Sequence, residues 1–104
     1  MRVNEVQRCA LPERTLTIPE LGGDGVVTVR SVGFGEKIRI VTAVPAHRTA
    51  CELVAGAVLD DDGLPVMSAD EWDAFAAVHE DRFFELLTAA KDVTGLEVAE
   101  VKKA

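Results

Sequence analysis

The chain has no tyrosine, one tryptophan, two cysteines and no long apolar run, and these shortages exclude several classes of protein. Its longest apolar stretch, Leu53 to Leu59, is far shorter than the roughly 20 residues that cross a bilayer as a helix. No apolar core of a signal peptide follows Met1. Cys9 and Cys51 lie far apart in sequence, and neither has zinc-ligand spacing to a histidine. We therefore expect a cytoplasmic protein with reduced thiols, without metal or membrane anchor.

Basic residues are scarce in the second half of the chain. The whole chain has a net charge of -7. Residues 1–52 carry seven Lys and Arg against six Asp and Glu, whereas residues 53–104 carry four against twelve. Such an acidic surface repels phosphate backbones and anionic lipids. We expect no nucleic acid and no membrane among the partners, and we expect a basic or largely apolar protein partner.

The length and composition predict one small domain covering residues 1–104. Apolar residues make up 48% and charged residues 28%, which is ordinary for a folded protein. Residues 1–13 show no clear period and read as an irregular or mobile lead-in. No internal repeat appears.

Three consecutive aspartates before Gly63 raise the question of a metal site or a turn. With Gly63 as the sixth position of a calcium loop, the first and twelfth positions would be Val58 and Ala69, which cannot bind the ion. The aspartates therefore predict a turn, and no metal. Ser68 and Glu71 then have the spacing of a capping box at a helix start.

A β-hairpin is predicted over residues 14–32, followed by a mainly helical segment over residues 34–95, so the fold class is α+β. Apolar and threonine residues alternate on both sides of Gly22-Gly23-Asp24-Gly25, whose glycines tolerate the positive φ of a turn. The stretch "FGEKIRIVTAV" favours a short helix, although its alternating isoleucines also suit a strand. Residues 46–59 favour a buried helix, with a buried strand as the alternative.

The clearest pattern begins after the capping box and forms one apolar stripe at helical spacing. It indicates one amphipathic helix, or two with a break near Val78-His79, ending at Gly95. Residues 96–104 are expected to form a tail. The stripe consists of Trp72, Phe75, Ala76, His79, Phe83, Leu86, Leu87, Ala90 and Val93.

Few residues are candidates for catalysis. His79 falls on the apolar stripe, where a core or core-edge histidine is the simpler interpretation. His47 precedes Cys51 by four residues, but Cys51 lies in an apolar segment where burial raises the pKa of a thiol. The stretch "GFGEK" lacks the remaining residues of a nucleotide-binding loop. We predict no catalytic residue and no cofactor.

One aromatic residue lies off the stripe. Phe84 is about 120° from Trp72 on a helical wheel, near Glu80 and Lys91. An isolated exposed apolar residue is normal, but aromatic side chains are also the usual anchors of protein interfaces. The predicted partner-binding residues are Phe84, Glu80, Lys91, Trp72, Phe83 and Leu87.

The order of these features resembles the small tail assembly chaperones of long-tailed bacteriophages and prophages. The likeness runs from Thr15 to Lys103. Its best-marked parts are the Gly-Gly turn before Val27-Thr28-Val29-Arg30, the turn and cap from Asp60 to Glu71, and Gly95-Leu96 before a lysine-containing tail.

The resemblance implies a non-enzymatic protein that keeps the tape measure protein soluble in the host cytoplasm while tail tube subunits gather around it. It also implies absence from the mature virion. Many members have a longer form made by a ribosomal slip, for which the codons of Lys102-Lys103 are a candidate place. Self-association into a homo-oligomer stays open. The alternatives are another tail or head-tail connector protein, or a small acidic regulatory module.

Overall fold

The computed structural model describes residues 12–95, in which a β-hairpin is followed by a mainly helical segment, and a short strand within that segment completes a three-stranded antiparallel sheet. This arrangement confirms the α+β class and the hairpin at its start. Residues 1–11 and 96–104 lie outside the described part, and with them most of the predicted lead-in and the whole predicted tail. In chain order the elements are β1 (Glu13–Thr17), β2 (Val26–Arg30), α1 (Phe34–Thr42), α2 (Thr49–Ala57), β3 (Val58–Leu59), α3 (Ala69–Val78) and α4 (Glu80–Thr94).

The hairpin of β1 and β2 forms because glycines occupy its turn. Gly22, Gly23 and Gly25 all have positive φ, as the sequence predicts, and a short 3-10 helix over Pro19–Leu21 completes the connection. At Gly25 a Cβ atom would lie 2.5 Å from the carbonyl oxygen of Ile18. Only glycine allows the two backbones to approach this closely.

The third strand was not predicted as such. α2 ends at Ala57 rather than at Leu59, and Val58 and Leu59 pair with β2 opposite Val29 and Thr28. Both interpretations of residues 46–59 were therefore partly right. α2 stops because the backbone of β2 offers hydrogen bonds to Val58 and Leu59. A prediction from local propensity does not take such distant partners into account.

The aspartate run forms the predicted turn. The Asp60 carboxylate accepts hydrogen bonds from the N–H groups of Asp62 (2.8 Å) and Leu64 (3.0 Å), and Gly63 has φ 79°. Leu59 then forms a bridge with Pro65, so the turn reverses the chain. This returns the chain toward the start of α3.

The start of α3 is the predicted capping box. Ser68 Oγ accepts from the Glu71 N–H (3.2 Å), and the Glu71 carboxylate accepts from the Ser68 N–H (3.0 Å). The amphipathic segment is two helices, as one of the two predictions had it, with the break at His79. Gly95 ends α4 in the left-handed conformation, with φ 81° and ψ 24°.

The core lies between one face of the sheet and helices α2, α3 and α4. Val27 and Val29 of β2 contribute the sheet face, and Leu53 and Val54 of α2 are fully buried. Trp72 is also fully buried. In the described range no helix is long and apolar enough to cross a membrane.

Candidate partner-binding surface

The predicted partner-binding residues separate into a buried group and an exposed group. Trp72 is fully buried, Phe83 and Leu87 are 5% and 4% exposed, and the ring centroids of Trp72 and Phe83 lie 6.4 Å apart. These three side chains form the core beneath α4. Only Phe84 and Glu80 lie on the surface, and Phe84 is 53% exposed, as its position off the stripe predicts.

Lys91 is buried, although the helical wheel places it near Phe84. Since Lys91 and Phe84 lie at nearly the same angle on α4, the difference in their exposure comes from packing and not from the helical period. The last turn of α4 contacts the chain that follows β2. There the Val32 N–H donates to Thr94 Oγ1 (3.4 Å) in a buried position. The middle of α4, at Phe84, has no such cover among the described residues and remains open to solvent.

Phe84 lines a groove between the edge strand β1 and helix α4. The groove has a volume of about 470 Å³. Leu16 of β1 and Ala89 of α4 give it an apolar floor beside Phe84. We call it the β1–α4 groove, and its lining residues are Arg14, Leu16, Asp81, Phe84, Glu85, Thr88 and Ala89.

The two ends of the β1–α4 groove differ in charge. Arg14 forms an ion pair with Asp92 (3.3 Å), which is on the last turns of α4. Asp81 and Glu85 lie nearer the start of α4, so that end is acidic. A ligand with a cationic group is favoured at this second end.

A second hollow adjoins the groove at the break between α3 and α4. It has a volume of about 580 Å³ and shares Asp81 and Glu85 with the groove. The remaining residues of this acidic hollow are Glu20, Val78, His79, Glu80 and Arg82. Val78 is 74% exposed, so an apolar side chain also stands at this end.

One arginine ties the acidic hollow to the hairpin. Arg82 forms ion pairs with Glu20 (3.1 Å) and Glu85 (3.2 Å), and these contacts raise the pKa of the guanidinium. A backbone hydrogen bond and then the bond from Arg82 lower the pKa of Glu20. These ion pairs connect the turn of the hairpin to the start of α4. In the described part of the chain, Asp81 has no ion-pair partner.

The break itself is built around His79. Its N–H donates to the Phe75 carbonyl (2.7 Å), and its own carbonyl accepts from the Phe83 N–H (3.0 Å), so it ends one helix and begins the next. The rings of Phe75 and His79 lie 5.1 Å apart. His79 is therefore a core-edge residue, as predicted, and it directs α4 along β1.

The other candidate for chemistry is enclosed in the helical layer. Cys51 is 9% exposed, and burial, followed by the charge of Asp73, raises the pKa of its thiol. His47 is exposed in the 3-10 helix that precedes α2. Within residues 12–95 no three His, Cys, Asp or Glu side chains are grouped so that they would hold a metal ion.

Most of the groove could not be found from the sequence. Phe84 and the acidic residues of α4 are recognisable from the helical pattern, but Leu16 and Arg14 lie on a different element. No local signal relates residue 16 to residues 84 and 89. Only the packing of β1 along α4 brings them together.

The whole fold is similar to one that has been solved in a phage protein. The solved structure is that of the tail assembly chaperone of bacteriophage HK97, which is 24% identical to this chain, with a TM-score of 0.54. The match covers 88% of this chain and 95% of that one. No protein-family model and no curated protein sequence matches the chain. The similarity therefore establishes a shared fold over almost the full length of both proteins.

Proposed function

We propose that this protein is a non-enzymatic phage tail assembly chaperone that binds the tape measure protein and keeps it soluble in the host cytoplasm. The observation that carries the proposal is the exposed Phe84 in an acidic-rimmed groove, on a fold shared with the HK97 chaperone. The buried thiol of Cys51 supports a role without catalysis, because a reactive cysteine needs access and a stabilised thiolate.

The physical properties of the surface suit a chaperone of this kind. Phe84 and Leu16 offer apolar contact area in the β1–α4 groove, and the acidic rim keeps the complex soluble through a large net charge. A single site of this size binds weakly, because binding also costs translational and rotational freedom. Many copies along one long client gain strength from repetition.

A matched pair of variants tests the proposal. The protein is co-expressed with the tape measure protein of the phage or prophage that encodes it, and the complex is captured. Phe84→Ala should reduce capture roughly tenfold or more, in the range of an aromatic interface anchor. Phe34→Ala is the control, because Phe34 is 79% exposed on α1 and lies outside the groove.

The outcomes of the capture experiment separate an error in the site from an error in the function. Capture by the wild type and by Phe34→Ala, with loss for Phe84→Ala and unchanged thermal unfolding, supports the proposal. Equal capture by both variants contradicts the assignment of the site. A wild-type protein that captures no tape measure protein, or that is found in purified phage particles, contradicts the function itself and favours a tail or connector component.

A further inference from the structure

β1 is an edge strand whose hydrogen-bonding pattern can be derived from its two ends. The Ile18 N–H donates to the Gly25 carbonyl (2.7 Å) at the turn, and the Ser31 N–H donates to the Pro12 carbonyl (2.8 Å) at the open end. Hydrogen-bonded and non-hydrogen-bonded pairs alternate along an antiparallel ladder. Both ends of the hairpin therefore give the same result: the even-numbered residues of β1 bond to β2.

The odd-numbered residues of β1 direct their backbone groups the other way. Arg14 and Leu16 bond to β2, so the N–H and C=O groups of Glu13, Thr15 and Thr17 point to the outer edge of the sheet. In the sheet order β1-β2-β3, no described strand lies on that edge. The three outward residues are exposed. Within residues 12–95 these backbone groups pair with no other strand, and together they form a short template of donors and acceptors.

The β1–α4 groove lies beside this open edge. The side chains of Leu16 and Arg14, which line the groove, lie on the face of the sheet that is turned toward α4. The side chains of Thr15 and Thr17 lie on the opposite face. A strand added to the edge would follow the same alternation. Every second side chain of that strand would then enter the groove and approach Phe84.

We propose that the outer edge of β1, which no described strand covers, receives an extended segment of the client as a fourth antiparallel or parallel strand, with alternate side chains in the β1–α4 groove. The inference rests on the proposed function and specifies its binding mode. The segment is short, because β1 has five residues between Pro12 and Pro19, and proline does not continue a ladder. It carries apolar residues at alternate positions and a basic residue toward Asp81 and Glu85.

Charge decides between a client and a second copy of this chain. Each copy has a net charge of -7, so two copies repel each other as whole molecules. Like charges at an interface select against the wrong partner. A neutral or basic client segment has no such cost, and its basic residue finds Asp81, which has no ion-pair partner among residues 12–95.

Proline at an outward position tests the strand directly. Thr15→Pro removes an N–H that makes no bond to β2, and proline is tolerated on an edge strand whose N–H faces solvent. It should reduce capture of the tape measure protein about tenfold or more, the loss expected when a ladder bond is removed and the ring blocks approach. Thr15→Val keeps the N–H and should capture like the wild type.

Amide exchange gives a readout that does not depend on the proline variants. In the free protein, the amides of Thr15 and Thr17 should exchange fast, and those of Arg14 and Leu16 slowly. Short overlapping peptides of the tape measure protein serve as probes. A binding peptide should slow exchange at Thr15 and Thr17 by about tenfold or more, since both amides then donate to the added strand.

The outcomes separate this inference from the proposed function. Capture that depends on Phe84 but not on Thr15→Pro, with no added protection at Thr15 and Thr17, overturns strand addition and leaves a client bound by side chains alone. If Thr15→Pro fails to fold, the exchange result decides. A wild-type protein that is dimeric in sedimentation and becomes monomeric with Thr15→Pro also overturns it, because a second copy then occupies the edge.

Discussion

The buried indole of Trp72 gives the sharpest prediction about stability. Trp72 is fully buried, its ring meets Phe75 edge-on at 5.3 Å, and its Nε1–H has no hydrogen-bond partner among residues 12–95. Truncation to alanine should cost about 3–5 kcal/mol, through lost transfer energy and the cavity left behind. A domain of this size has a total stability of about 5–15 kcal/mol, so Trp72→Ala should remove a large share of it.

Trp72→Phe should cost far less than the lost ring volume implies. The substitution leaves a smaller cavity and removes a buried donor that lacks a partner, and an unsatisfied group of this kind costs about 1–3 kcal/mol. The two effects oppose each other, so the net loss should be below about 1.5 kcal/mol.

Urea unfolding followed by far-ultraviolet circular dichroism measures both variants. Fluorescence is unsuitable, because Trp72 is the only tryptophan and the chain has no tyrosine. The slope of the transition should stay unchanged if only stability differs. A loss above about 3 kcal/mol for Trp72→Phe would show that the indole N–H is bonded in solution, and the reasoning would then be wrong.

Two further predictions concern the hairpin turn and the buried thiol. Gly25→Ala should cost about 1–3 kcal/mol from the positive φ, with an added cost from the collision 2.5 Å from the Ile18 oxygen. Gly23→Ala has a positive φ but open space around it, so a thermal scan should find it less damaging, and equal losses would contradict the role of the close approach. Burial raises the pKa of Cys51, so less thiolate is present at a given pH, and alkylation of the native protein should require a higher pH than alkylation of the urea-unfolded chain. The alkylation rate is measured by mass spectrometry of the Cys51 peptide. Equal alkylation rates for the native and the unfolded chain at one pH would refute the burial of Cys51.

The fold explains how the surface of α4 becomes available. α4 begins at Glu80, after a break at His79, rather than continuing α3. Its apolar stripe packs on the core, and the next face passes beside β1. Because the sheet ends at β1, that face has no strand above it in the described chain. Phe84 is exposed for this reason. An additional strand would cover both the open edge and the aromatic ring.

Local signals determined much of the architecture. The glycines of the hairpin turn, the capping box at Ser68 and the stop at Gly95 are each satisfied within a few residues, and so the sequence predicts them. The stripe of α3 and α4 identifies the buried side chains for the same reason. Helical periodicity also places Phe84 off this stripe.

Tertiary contacts decided the rest. Val58 and Leu59 became a strand because β2 offered an unpaired edge. Lys91 is buried although it lies on the same side of α4 as the exposed Phe84, so its burial depends on packing and not on the helical period. The groove exists only because β1 lies along α4, far away in sequence. Helical period and turn chemistry act over a few residues and are visible in the sequence, whereas burial and strand pairing depend on neighbours brought close only by folding.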